Sequence, residues 1–367
     1  MIRQRRSAIT VGERFAGYEL EERVGEGGMG VIFKARDPRL ERDVALRIIG
    51  AEVAGDSVTR ARLNRESTTL ASVDHANVVP IYEAGESDGR LFIASRWVRG
   101  ISLGSLVGEQ GPLEPRRAVR IVNQVASALQ AAQGLGIIHR NVKPSSVLVT
   151  DTDHAYLTDF GLARRASDLT GLTVEEHLVE SFDYLAPEYL EGGPVDARVD
   201  IYGLGCVLYE ALTGEVPYPA PTPAAKMYAQ RSAEPPSARA RRPDVPAALD
   251  AVVRRAMAKD PSERHQAPGE FAVEAAGAVQ MSAPPWITGA PAPSALRDVD
   301  EERSEPQPVP APRGHSGQDD RWRRDEWHEP AYFAHPGPST GRRIAAGVAI
   351  LLFLAAPLAL LLALVVH

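Results

Sequence analysis

Gly25-Glu26-Gly27-Gly28-Met29-Gly30 has the spacing G-x-G-x-x-G. Loops of this kind let backbone N–H groups close over nucleotide phosphates, although glycine-rich turns recur in unrelated folds. The flanks are therefore decisive. Tyr18 to Val24 reads as a strand before the glycines, and Val31 to Ala35 as a strand after them. A dinucleotide-binding Rossmann site would open a helix at this point, so that reading is excluded. Further runs carrying charged or polar side chains follow in order: Val44-Ala45-Leu46-Arg47, His139-Arg140-Asn141-Val142-Lys143-Pro144-Ser145-Ser146 and Asp159-Phe160-Gly161.

Two later runs, Ala186-Pro187-Glu188 and Lys259-Asp260-Pro261-Ser262-Glu263-Arg264, complete an ordered set. Together these pieces resemble the protein kinase superfamily, most closely bacterial membrane-anchored serine/threonine kinases, over residues 15 to about 281. The resemblance implies an α+β, two-lobed protein kinase fold with a small β-rich N-lobe and a large helical C-lobe. It also implies ATP and Mg2+ as cofactors. Gly25, Gly27 and Gly30 would cover the phosphates. Ile32, Ala45, Val98 and Leu148 match the apolar slots around adenine, although each could equally be core. Ser95 falls where a bulkier residue usually precedes the hinge Arg96-Trp97-Val98, which would enlarge the back of the pocket.

The working positions are altered. In the family's H-R-D-x-K-P-x-N loop the Asp accepts the substrate proton and the Asn holds a metal ion. Here those places carry Asn141 and Ser146, while Lys143 is kept. Arg47 replaces the phosphate-binding Lys of V-A-I-K, and Glu66, on a predicted helix, matches the glutamate that pairs with it. Asp159 keeps the metal-binding place of D-F-G, with Ser146 as its altered companion. Glu188, Arg264 and Asp200 match residues that stabilise the fold in any kinase. Asn141 takes no proton at neutral pH, and a positioned base is worth about 10²–10⁴-fold in rate. A serine is a short ligand for magnesium, which demands near-octahedral geometry. A planar guanidinium is a poor match for a site shaped for an ammonium. The three changes predict a pseudokinase with weakened binding of ATP and Mg2+. The alternative is an active kinase with atypical residues, in which Lys34, sharing strand parity with Ile32, replaces the missing lysine.

The segment between Asp159 and Glu188 holds Ser167, Thr170 and Thr173, any of which could carry a phosphate for Arg140. It also reads Glu180-Ser181 where the family has Gly-Thr, which sets a carboxylate where substrates approach.

Four regions follow along the chain: a basic N-terminal tail (1–14), the kinase-like domain (15–281), a proline-rich disordered juxtamembrane linker (282–341) and a transmembrane helix (344–366). The formal charge of −7 gives no reason to expect nucleic acid. A single cysteine, Cys206, excludes an internal disulfide and sits in an apolar run, as an inert core thiol would. No apolar stretch follows Arg3, Arg5 and Arg6, so the N-terminus is not a secretory signal. Ile344 to Val366 is a run of 23 uncharged residues, and about 20 suffice to cross a bilayer. Arg342 and Arg343 before it place the kinase-like domain in the cytoplasm and the C-terminus outside, in a single-pass cell-membrane protein. Only His367 follows the span, so no outer sensing domain is expected. Partners are then the bilayer and cytoplasmic or membrane signalling proteins, an active kinase among them. Trp322 and Trp327 stand out in the linker, as drift or as a docking motif.

Overall fold

The alternation of the first hundred residues builds a sheet with two different faces. The structure, a computed structural model, describes residues 9–27, 30–49, 72–160, 182–284 and 286–287. Glu66, Gly161, the phosphate-acceptor candidates Ser167, Thr170 and Thr173, Glu180, Ser181, Trp322, Trp327 and the apolar segment 344–366 lie outside these residues. Among the described residues no helix is long and apolar enough to cross a membrane.

Six antiparallel strands, β1 (Arg14–Phe15), β2 (Tyr18–Gly27), β3 (Gly30–Asp37), β4 (Arg42–Ile49), β5 (Ile81–Ser87) and β6 (Arg90–Arg96), run in the order β1-β2-β3-β4-β6-β5. Both strands expected around the glycines are present, as β2 and β3. Side chains alternate between faces of a strand. Phe33 and Ala35 of β3, with Val44, Leu46 and Ile48 of β4, therefore share one buried face with Phe15, Tyr18, Leu20 and Phe92. Ile32 and Lys34 of β3 and Ala45 and Arg47 of β4 take the opposite face, where Ile32 pairs with Arg47 and Lys34 with Ala45. β5 and β6 are joined by Asp88-Gly89, both at positive φ (50° and 69°), as a tight two-residue hairpin turn requires.

The second half is helical. Its helices are α1 (Leu103–Gln110), α2 (Pro115–Gly134), α3 (Pro187–Leu190), α4 (Arg198–Thr213), α5 (Pro223–Ser232), α6 (Ala238–Arg241), α7 (Ala247–Ala256) and α8 (Pro268–Ala278). A small antiparallel sheet of β7 (Ile101–Ser102), β8 (Val147–Val149) and β9 (Ala155–Leu157) joins them. α2 starts cleanly because Pro115 occupies its first turn and Glu114 accepts the N–H groups of Arg116 and Arg117. α4 is apolar on nearly all sides and is buried from Val199 to Tyr209, so it forms the axis of the lobe. Cys206 lies wholly buried within it, and burial pushes its thiol pKa up. Gly203 lets α4 touch the loop before β8, because a Cβ there would stand 2.8 Å from the Val142 carbonyl oxygen. The chain stays packed on this lobe through Trp286 and Ile287, a few residues beyond 281.

Candidate nucleotide-binding site

Between the two halves lies a cleft of about 400 Å³, within the size range of small-ligand pockets. Ile32, Ala45, Val98 and Leu148 all line it, as their slots in the sequence suggest. Arg47, Asp159 and Ser95 line it too. Ser95 shares the lining with the apolar Val78, Val79, Ile81 and Ile93, and its hydroxyl donates to the Ala45 carbonyl at 3.4 Å. Trp97 of the expected hinge lines it as well, and Val24, Ser145 and Thr158 also contribute, for which the sequence offered no local sign.

The glycine loop closes as a β2–β3 hairpin in which Gly25 pairs with Ile32 and Gly27 with Gly30. Gly30 has φ +124°, and a Cβ would fall 2.0 Å from the Ile48 carbonyl oxygen. Only glycine fits there.

Arg47 reaches the cleft because it shares strand parity with Ala45. Its Nη2 donates to Asp159 Oδ1 at 2.6 Å, with the two side chains 14% and 22% exposed. The residue at the phosphate-binding position is thus paired directly with the residue at the metal-binding position. Thr158 also donates its hydroxyl to Asp159 Oδ1, at 3.4 Å. Lys34 goes elsewhere. Its Nζ lies 2.9 Å from Glu21 and 3.6 Å from Asp43, and it does not line the cleft.

The loop before β8 is held from beneath by Asp200 of α4. Its carboxylate accepts the backbone N–H of His139 at 2.8 Å and of Arg140 at 2.6 Å. Burial raises the Asp200 pKa to about 7, against the opposing pull of those two N–H groups. Arg140 and Asp159 both sit at positive φ, 68° and 66°, a conformation that costs a non-glycine residue about 1–3 kcal/mol and persists where surroundings enforce it. His139 helps to enforce it. Its Nδ1 accepts the Asn141 N–H at 3.2 Å, so its Nε2 carries the proton and donates to the Thr158 carbonyl at 2.8 Å. Burial lowers the His139 pKa to about 4, keeping the ring neutral. The ring packs 4.6 Å from that of the buried Phe160, and Asp159 and Phe160 both line the cleft.

At the altered positions the geometry is specific. Asn141 Oδ1 is buried and meets no hydrogen-bond donor among the described residues. Ser146 is wholly buried. Its hydroxyl donates to the Lys143 carbonyl at 2.8 Å and accepts the Lys143 N–H at 3.1 Å, closing the short turn Pro144–Ser146. Ser146 does not line the cleft, whereas its neighbour Ser145 does.

Away from the cleft, Arg264 and Glu188 form a bidentate pair at 2.7 and 2.8 Å, with Arg264 wholly buried. Lys259, five residues before Arg264, makes a cluster that the sequence does not announce. Its Nζ donates to the hydroxyls of Tyr202 and Tyr218, each at 3.0 Å, and to the Gln230 carbonyl at 2.7 Å. Gln230 in turn donates its amide to the Asp183 carbonyl at 2.5 Å, tying α5 to the segment that precedes Ala186-Pro187-Glu188.

The cleft thus offers apolar walls for a flat ring and, among the described residues, two permanent cations, Arg47 and Arg96, of which Arg47 is paired with Asp159. It offers no carboxylate at the position of a general base.

Residues 18–276 match the protein kinase domain, and the chain belongs to that family. Serine/threonine-protein kinase PknD of Mycobacterium tuberculosis is 44% identical over 273 residues, covering 74% of this chain and 41% of that protein. Serine/threonine-protein kinase PknH of Mycobacterium bovis is 42% identical over 265 residues, covering 72% of this chain and 44% of that protein. The chain therefore spans about two-fifths of the length of the curated relatives it matches. The crystal structure of the Mycobacterium tuberculosis PknI kinase domain is similar with a TM-score of 0.61 at 30% identity, covering 74% of this chain and 100% of that one. The two-lobed fold is that of a protein kinase with serine/threonine kinase homologues, a family that generally binds ATP and Mg2+.

Proposed function

We propose that this chain is a serine/threonine kinase-like pseudokinase that binds nucleotide weakly and serves as a membrane-tethered signalling scaffold or regulator. The observation that carries the reading is the Arg47–Asp159 ion pair at 2.6 Å. Phosphoryl transfer is almost entirely positioning and electrostatic stabilisation, and this contact neutralises the two cleft charges that would supply it. Asn141 compounds the loss by removing the base. Lys34 offers no rescue, since Glu21 and Asp43 engage it.

The proposed tether rests on the apolar segment 344–366 and on Arg342 and Arg343 before it, which would set the kinase-like domain at the cytoplasmic face. A membrane tether raises the effective concentration of the domain for membrane-proximal partners. These partners would be cytoplasmic or membrane signalling proteins, including an active kinase that phosphorylates Ser167, Thr170 or Thr173. The test is intact-mass spectrometry of the purified chain after incubation with ATP, magnesium and a basic protein. Neither protein should gain the mass of a phosphate. Phosphate on either one that disappears in the Asp159→Ala variant would establish the active-kinase alternative instead.

A further inference from the structure

Resting on that reading of the cleft, we infer that it takes a purine nucleoside triphosphate without a divalent metal, using the Arg47 guanidinium as the counter-charge. The residues at the metal position do not fit magnesium. Magnesium needs near-ideal octahedral oxygens and gives up water reluctantly, so it relies on available carboxylates and phosphates. Ser146 is closed on the Lys143 backbone and wholly buried, so its oxygen is not presented. Among the described residues Asp159 is the one carboxylate lining the cleft, and its Oδ1 already accepts from Arg47 and Thr158. Among the described residues no group of three or more His, Cys, Asp or Glu converges to hold a metal.

Arg47 suits the alternative. A guanidinium remains charged at any working pH and presents a planar fork of donors that matches phosphate oxygens two at a time. It stands on the same sheet face as Ala45 and directly opposite Ile32, so the cation adjoins the apolar walls that would hold the base.

In this arrangement Asp159 opposes the ligand. With no metal between them, its carboxylate repels the phosphates and competes for Arg47. The effect of Asp159→Asn therefore has the opposite sign to that expected in a metal-using kinase. There the substitution removes a metal ligand and weakens ATP binding. Here it removes a repulsion and releases Arg47.

The experiment is calorimetric titration of the purified full chain with ATP, once with excess magnesium and once with EDTA. The expected result is an affinity equal within about twofold in both, and about fivefold tighter in Asp159→Asn, as loss of one nearby partly screened charge implies. Arg47→Met should lose binding in both, and Arg47→Lys should retain only part of it. Binding that requires magnesium, or that is unchanged or weakened in Asp159→Asn, overturns the inference while leaving the nucleotide-binding reading intact. No binding by the unmodified chain in either buffer overturns both.

Discussion

Arg47 and Asp159 stand 112 residues apart in the chain and meet at 2.6 Å across the cleft. One belongs to a strand of the small lobe and the other to the turn that follows β9. Each would otherwise face an anionic ligand or a cation with its charge unbalanced. Each is also held in place by its own element, Arg47 by strand parity with Ala45 and Asp159 by the left-handed backbone after Thr158. The ion pair is thus a property of the framework, and it couples the two lobes.

Ser146 is expected to be structural. In Ser146→Ala the Lys143 N–H and carbonyl lose their shared partner, and stability to urea should fall by about 1 kcal/mol. ATP affinity should not change, with or without magnesium. A tenfold loss of affinity confined to the magnesium buffer would show that the hydroxyl does reach a metal.

Arg264 should be among the most sensitive positions in the large lobe. Besides Glu188 it donates to the carbonyls of Ala258, Arg198 and Lys259. Arg264→Met leaves Glu188 and those acceptors without their partner, and breaking a buried pair from one side costs about 3–5 kcal/mol. Chemical denaturation of the two proteins measures this. A loss below about 1 kcal/mol would mean that water replaces the guanidinium freely.

Lys259 should leave an alkaline signature. Burial lowers its pKa from 10.5 to about 8, so between these values the folded state holds fewer protons than the unfolded one. Stability then rises with pH across that window. Cys206 and the buried tyrosines, whose pKa values are raised, act in the opposite direction. The quantity to measure is therefore the difference between the unmodified chain and Lys259→Met. It should grow in favour of lysine as pH rises from about 8 to 10.5, and a flat or falling difference would contradict the assignment.

Much of this site can be read from residue order alone. Ile32, Ala45, Val98 and Leu148 come from four separate stretches of the chain, yet each lines the cleft as the family pattern suggests, with strand parity also setting Ile32 and Ala45 on one face. The same parity sends Arg47 into the cleft. It fails for Lys34, which shares a face with Ile32 but lies within reach of Glu21 and Asp43. Parity fixes the side of a sheet and says nothing about which nearby charge a flexible side chain will choose. Ser146 is a similar case. Its position matches a metal ligand, while its short hydroxyl reaches only the backbone of its own turn. The contacts of Lys259 bring together Tyr202 of α4, Gln230 of α5 and Tyr218 of the connection between them, and no local spacing signals them.

The most direct test of the central claim is the initial rate of labelled phosphate transfer from ATP to a basic protein. It should be measured for the unmodified chain, for Asp159→Ala, and for the triple variant Arg47→Lys, Asn141→Asp, Ser146→Asn. The unmodified chain should be indistinguishable from Asp159→Ala, because the base is missing and Arg47 is bound to Asp159. The triple variant should rise above that background only where Glu180 does not obstruct the substrate. Robust transfer by the unmodified chain that vanishes in Asp159→Ala would contradict the account.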